Sequence, residues 1–197
     1  MDNIDDIKQK IRNQIEEQRR ILGENLIKEQ SLVIQSRLLS MSEYRMARML
    51  CVYLSIKGEV RTDSIIARCM SDEKTVCVPA YDKVSKIYRP AVYDGKTSIS
   101  KGPLGVMEPS RPVWLDFSAV DMIVIPGVAF DETGSRLGRG GGYYDAILGA
   151  MRAFKVAVAF DFQMIPHVPV DDKDVRVEAV ITESRVIRSN LESRSRS

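Results

Sequence analysis

The chain has 197 residues, 44% of them hydrophobic, enough to bury one sizeable core and short enough to suggest one domain rather than two. Its 29 basic and 27 acidic residues leave a net charge of +2, so no global field argues for nucleic acid or a membrane surface, and any anion site must be local. Cys51, Cys69 and Cys77 include no C-x-x-C pair and fit neither a disulfide framework nor a zinc site; they read as reduced thiols of a cytosolic core. The opening MDNIDDIKQK lacks the apolar stretch of a signal peptide and no window is long and apolar enough to span a bilayer, so a cytoplasmic location is expected.

From Ile4 to Leu22, Ile4, Ile7, Ile11 and Ile15 recur at the spacing of an amphipathic helix, with Lys8, Arg12 and Arg19 on one flank. A second helical pattern runs from about Glu24 to Leu39, SEYR from Ser42 can open a helical turn, and Met49 to Leu54 reads as a buried strand. Thr62 and Asp63 offer a helix cap ahead of Ile65, Ile66 and Cys69, and Thr75 to Val78 is a β-branched strand closed by Pro79. Lys86 to Val92 is a further strand, after which KGPLGVMEP is an irregular connection punctuated by Gly and Pro. Val120 to Pro126 is a short apolar run, Tyr143 to Phe154 has helical spacing, and Lys155 to Phe160 and Val177 to Thr182 are the next strands. This alternation predicts an α/β domain over 1–189 with a mainly parallel sheet covered by helices. The polar tail 190–197 is expected to be disordered.

The segment from Ile125 to Asp145, IPGVAFDETGSRLGRGGGYYD, concentrates the chemistry. Glycines at 138, 140, 141 and 142 free the backbone to take positive φ and to approach a ligand closely, and a helix follows directly. Backbone N–H groups at a helix start attract phosphate oxygens, and Arg136 and Arg139 add planar donors. A flexible turn would also use such glycines, but the preceding buried strand, the flanking arginines and the helix start all agree on a phosphate loop. Two familiar glycine motifs fail on spacing. No G-x-x-x-x-G-K-[ST] occurs, and G-x-G-x-x-G would need glycine where Tyr143 stands, which disfavours a Rossmann dehydrogenase.

The run PGVAFDETGSRLGRGGGYYDAIL resembles the signature of the 5-formyltetrahydrofolate cyclo-ligase family, also called methenyltetrahydrofolate synthetase. Lys8-x-x-Ile-Arg12 is similar to that family's N-terminal Lys-x-x-Leu-Arg, SEYRMARMLCVYLSIKGEV resembles its folate-meeting segment, and Ala157 to Thr182 is similar to its C-terminal block. The resemblance implies a Rossmann-like three-layer fold related to the sugar-phosphate isomerase and CoA-transferase group. It also implies an enzyme that uses ATP and Mg2+ to convert 5-formyltetrahydrofolate to 5,10-methenyltetrahydrofolate, working as a monomer or small homo-oligomer.

Residue by residue, the resemblance places ATP against Lys8, Arg12 and the loop Arg136, Leu137, Gly138, Arg139, Gly140, Gly141, Gly142, Tyr143 and Tyr144, with Arg136, Arg139 and Tyr144 serving the chemistry. It places the folate against Leu54, Glu59, Glu108 and the backbone at Gly138, Gly140 and Gly142, and the metal on Asp145 and Asp174. Several have a plainer reading: Lys8 and Arg12 a solvated basic face, Asp145 a first-turn charge, Asp174 a surface carboxylate, Glu59 a turn residue beside Gly58, Glu108 a structural group, and one tyrosine a core contact. Gln163 matches a recurrent family glutamine without a derivable role. Gly141 stands where some members carry lysine, and Glu178 where aspartate is common. His167, between prolines, is the single histidine, and no G-x-S-x-G occurs, so a histidine triad is absent and His167 reads as structural or solvent-facing. The alternatives are a non-catalytic folate or nucleotide binder, and a sugar-phosphate isomerase or transferase of related architecture.

Overall fold

The computed structural model describes residues 3–103, 105–171 and 174–189; the tail expected to be disordered lies outside them. The isoleucine stripe forms α1 (Ile4–Ile21), with Asp5 and Asp6 at its positive end and Arg19 and Arg20 at its negative end. Ile4 and Ile7 stay exposed; Ile15 is the buried anchor, packed with Val128, Ala129, Leu137 and Val168. α2 (Glu24–Leu39) and α3 (Ser42–Met46) turn Ile27, Ile34, Leu38 and Tyr44 inward, and lead into β1 (Met49–Val52).

α4 (Asp63–Ser71) starts where Thr62 predicts, but the cap is tertiary. The Thr62 hydroxyl donates to the Tyr53 carbonyl at 2.7 Å, and Gln35 of α2 accepts the Ile65 N–H at 3.1 Å. β2 (Thr75–Asp82) continues through Pro79 rather than stopping there, paired antiparallel with β3 (Ile87–Val92). The reason lies in the register: β1 pairs with β2 only as far as Cys77, and Pro79 faces Pro90, whose carbonyl points away from β2 to accept the Leu115 N–H at 2.9 Å. The connection expected to be irregular instead contains a hairpin of β4 (Ile99–Lys101) and β5 (Met107–Pro109).

β6 (Met122–Ile125) is buried throughout and is followed by a small hairpin of β7 (Ala129–Phe130) and β8 (Arg136–Leu137). Asp131 organises its turn, accepting the Thr133 and Ser135 amides, the Thr133 hydroxyl and the Val168 amide. The helix after the glycines, α5 (Tyr143–Ala150), ends before Phe154, which opens β9 (Phe154–Val158); β10 (Ala179–Ile181) and β11 (Val186–Arg188) complete the chain. Glu178 pins β9 to β10 by accepting the Lys155 amide at 2.7 Å.

The main sheet runs β11-β10-β9-β6-β1-β2-β3, with β2, β1, β6, β9 and β10 parallel and the two edge strands antiparallel. Alternation divides its side chains into two cores. Leu50, Val52, Met122, Val124, Val156 and Val158 meet α2 and α4, whereas Cys51, Ile123, Ile125 and Ala157 meet Ile147, Leu148 and Met151 around α5. The result is a three-layer α/β fold. From β1 the chain winds to one side through α4, and from β6 to the other through α5. Loops leaving the carboxyl ends of β1 and β6 therefore part, and a crevice opens between them.

Candidate functional site

A cavity of about 340 Å³ occupies that crevice. Tyr53 and Leu54 enter it from the end of β1, Pro126 and Gly127 from the end of β6, and Val106 from the β4–β5 hairpin; Glu59, Arg136, Arg139, Tyr144 and Asp145 supply its polar wall. A smaller apolar cavity of about 50 Å³ adjoins it, sharing Tyr53, Leu54, Val106 and Tyr144 and ending on Pro79, Tyr88, Met107 and Ile147. A mainly apolar chamber with one charged wall, extended by an apolar annex, suits a ligand carrying an anion at one end and an organic body at the other.

Two of the four loop glycines take the positive φ that their composition allows. Gly142 takes φ 65° as the residue before α5 and Gly140 takes φ 98°, conformations that side chains rarely adopt. At Gly138 a Cβ would sit 2.9 Å from Arg136 Nη1, so a side chain there would press that guanidinium out of place. Arg136 is buried. Its Nη2 donates to Asp145 Oδ1 at 2.7 Å, its guanidinium lies 5.6 Å from the Tyr144 ring centroid, and its Nε has no partner among the described residues. Arg139 Nη2 reaches across the cavity to Glu59 Oε1 at 2.9 Å, while Glu59 Oε2 accepts the Ile56 amide at 3.2 Å.

Burial raises the Glu59 carboxyl above its ordinary range, although Arg139, the Ile56 amide and Arg19 pull it back. The Tyr53 and Tyr144 phenols are likewise pushed well up by burial, so both stand neutral as hydrogen-bonding groups.

The basic flank of α1 reaches three neighbouring pieces of chain. Arg12 Nε donates to the Gly138 carbonyl at 3.0 Å, holding the loop from behind; Arg19 Nη2 donates to the Gly127 carbonyl at 2.7 Å; and Lys8 Nζ pairs with Asp171 at 3.2 Å and Asp174 at 3.1 Å. Lys8 and Arg12 are thus partnered and partly or fully buried, unlike the plainer alternative of a solvated basic face, and neither lines the cavity. Arg19, Tyr53, Val106, Pro126 and Gly127 were not among the expected site residues. The legible signal for them was position: Arg19 shares the flank of Lys8 and Arg12, and Pro126 directly follows the β6 run.

Glu108 lines neither cavity; Oε1 accepts the Tyr88 hydroxyl at 2.8 Å and Oε2 the Tyr81 amide at 3.0 Å, fastening β5 to β2 and β3. Gln163 acquires a role: Oε1 accepts the Phe160 amide, and Nε2 donates to the carbonyls of Gly127 at 2.9 Å and Val128 at 3.0 Å, clamping the turn after β6. Leu137 is core, and His167 is exposed. The ATP contact expected of Tyr143 falls outside the described side chains.

Asp145 and Asp174 are each in an ion pair, and only Asp145 lines the cavity. No group of three or more metal-ligating side chains occurs among the described residues. Asp145 offers the hard oxygen that Mg2+ takes in sites completed by ligand phosphates and water, so its chemistry fits such an ion.

Fold and site together define an α/β protein with a cavity, walled on one side by charged groups, at the switch point of a mainly parallel sheet. Residues 4–183 match the profile of the 5-formyltetrahydrofolate cyclo-ligase family, and the chain belongs to that family of enzymes. A probable 5-formyltetrahydrofolate cyclo-ligase of Schizosaccharomyces pombe is 30% identical over 187 residues, covering 85% of this chain and 91% of that protein. The 5-formyltetrahydrofolate cyclo-ligase of Escherichia coli K12 is 32% identical over 178 residues, covering 87% and 98%. The solved 5,10-methenyltetrahydrofolate synthetase of Aquifex aeolicus superposes with a TM-score of 0.84 at 31% identity, covering 97% of this chain and 96% of that one. No helix among the described residues is long and apolar enough to cross a membrane.

Proposed function

We propose that this protein cyclises 5-formyltetrahydrofolate to 5,10-methenyltetrahydrofolate at the expense of ATP, releasing ADP and phosphate. One observation carries the proposal: a single cavity unites Leu54 and Glu59 from the β1 exit with Arg136, Arg139 and Asp145 from the glycine loop, the two halves of the expected site. The formyl oxygen is a poor leaving group. Transfer of the γ-phosphoryl to it, with ADP leaving, makes a phosphate ester-like leaving group; the 10-nitrogen then attacks the formyl carbon and gives up its proton, and the carbon–oxygen bond breaks to release phosphate, which carries that proton away. Such chemistry asks mainly for positioning and charge stabilisation.

The residues divide accordingly. Arg136, fixed by Tyr144 and Asp145, presents a guanidinium to the transferring phosphoryl; the loop backbone grips the phosphates, and Arg12 holds that backbone in place. Leu54 offers an apolar wall and Glu59 an acceptor for the pterin's ring donors. Mg2+, held through Asp145, would neutralise phosphate charge.

The test is optical. Purified protein given 5-formyltetrahydrofolate and magnesium-ATP should generate the near-ultraviolet absorbance of the methenyl product, and chelation of the metal should stop it. If no nucleotide supports that change, the catalytic reading is lost.

A further inference from the structure

The two arginine–carboxylate pairs of the cavity are held very differently. Arg136 and Asp145 belong to one short stretch of chain, and Arg136 is enclosed. The Arg139–Glu59 pair instead bridges 80 positions of sequence, from the glycine loop to the exit of β1, and its members differ sharply in exposure: the Arg139 side chain is 56% exposed, that of Glu59 only 9%. Arg12 holds the backbone before Arg139 at the Gly138 carbonyl, so the freedom of Arg139 lies in its long, exposed side chain.

Glu59 has no such freedom. Its Oε2 is tied to the Ile56 amide, and the groups facing it are Arg139 from the loop, Arg19 from α1, and the neutral phenols of Tyr53 and Tyr144. Arg19 is buried and held in place by the bond of its Nη2 to the Gly127 carbonyl, with its Nε unpartnered among the described residues. Arg139 is therefore the mobile neutraliser of a buried carboxylate.

We propose that this ion pair couples the two ligands: the phosphate chain of the nucleotide and the ring donors of the folate compete for opposite members of one pair, so each ligand frees the group the other needs. The inference rests on the functional reading above and specifies its regulation. A phosphate that draws Arg139 away strands Glu59 in a poorly solvated wall, and the pterin's N–H donors satisfy it. Conversely, a folate seated on Glu59 releases Arg139 to the phosphates. Linkage then makes each ligand tighten the other by the same factor. Because burial already lifts the Glu59 carboxyl, loss of Arg139 raises it further; nucleotide binding alone should take up a fraction of a proton, which folate binding returns.

The experiment is calorimetry on the full chain with 5-formyltetrahydrofolate and the magnesium complex of β,γ-imido ATP, which cannot transfer its phosphoryl group. Titrations run in mildly acidic buffers of different ionisation heat. We expect each ligand to tighten the other by about fivefold or more, with proton uptake on nucleotide binding alone. In Glu59→Gln, Arg139 is no longer held, so nucleotide alone should bind more tightly than in the unaltered chain, with coupling near unity and no proton uptake. Coupling below about twofold in the unaltered chain overturns the proposal, as does full coupling or wild-type proton uptake in Glu59→Gln. Should that variant fail to fold, coupling and proton uptake in the unaltered chain decide the matter by themselves. Absent coupling with intact turnover removes this inference alone, whereas failure of either ligand to bind removes both readings.

Discussion

Arg136 shows how one side chain can be structural and functional at once. It is buried, salt-bridged to Asp145 and placed against the Tyr144 ring, yet its Nε is unpartnered among the described residues and its guanidinium lines the cavity. Removing one fixed donor from a developing phosphoryl charge costs about 10²–10³-fold in rate. We therefore expect Arg136→Ala to lose roughly that much turnover with ATP while shifting the urea midpoint by the equivalent of only about 1–3 kcal/mol. Unchanged kinetics would remove Arg136 from the chemistry. Glu108 is the counter-example: the resemblance left it substrate-side or structural, and here it is engaged by Tyr88 and Tyr81. Glu108→Ala strands a buried hydroxyl and an amide and should cost about 1–3 kcal/mol in urea unfolding. A variant as stable as the parent would mean that those contacts contribute nothing.

At the scale of elements, the turn between β6 and β7 is the tightest constraint on the cavity floor. A Cβ on Gly127 would lie 2.4 Å from Phe130 Cζ, and Phe130 is fully buried. The Gly127 carbonyl also accepts from both Arg19 and Gln163. Gly127→Ala must therefore displace an aromatic ring or the turn, and overpacking of this kind costs about 1–3 kcal/mol; a thermal melt matching the parent would show that the turn yields freely. This constraint was not legible in the sequence, because the clash joins Gly127 to a ring whose direction only the folded hairpin sets. The long elements were legible: the isoleucine spacing of α1, the apolar runs of β1 and β6 and the glycine-to-helix step at Gly142 carry their periodicity locally. The hairpins β4–β5 and β7–β8 were not, since strands of two or three residues are too short to show alternation. Pro79 misled because a proline is tolerated where pairing with β1 has already ended, a fact of sheet order rather than of local sequence. The same distinction divides the site: the loop could be read off its own residues and the family resemblance, whereas the Arg139–Glu59 pair and the hold of Arg12 on Gly138 arise only when α1, β1 and the loop converge.

For the molecule as a whole, the ionisable groups set opposite limits on stability. Arg188 of β11 holds the Glu43 carboxyl of α3 down to about 2. Asp131 also lies below its ordinary range: burial pushes its carboxyl up, but the Thr133 hydroxyl and the Val168, Ser135 and Thr133 amides outweigh it. A carboxylate depressed on folding contributes stability that is present above its unfolded value, about 4 for these types, and that drains away as pH falls through the folded value. Both therefore weaken the fold on the acid side. Glu59, raised by burial, acts in reverse: its ionisation opposes folding above the unfolded value, so acidification first relieves that cost. On the alkaline side, burial raises the Cys69 thiol to about 11 and pushes up the Tyr44, Tyr53 and Tyr144 phenols. These acids hold their protons more firmly when folded, so stability begins to fall once pH exceeds the unfolded thiol value of about 8.5 and the unfolded phenol value of about 10. The melting temperature of the ligand-free chain should thus form a plateau from mildly acidic to neutral pH, with both limbs falling. Glu43→Gln tests the acid limb, because it removes the depressed carboxylate while leaving an amide oxygen for Arg188. Its melting temperature should sit below the parent's at neutral pH and converge with it as pH approaches about 2, the folded value of Glu43. A constant offset across that range would show that the Glu43–Arg188 contact stabilises the fold by packing rather than by charge.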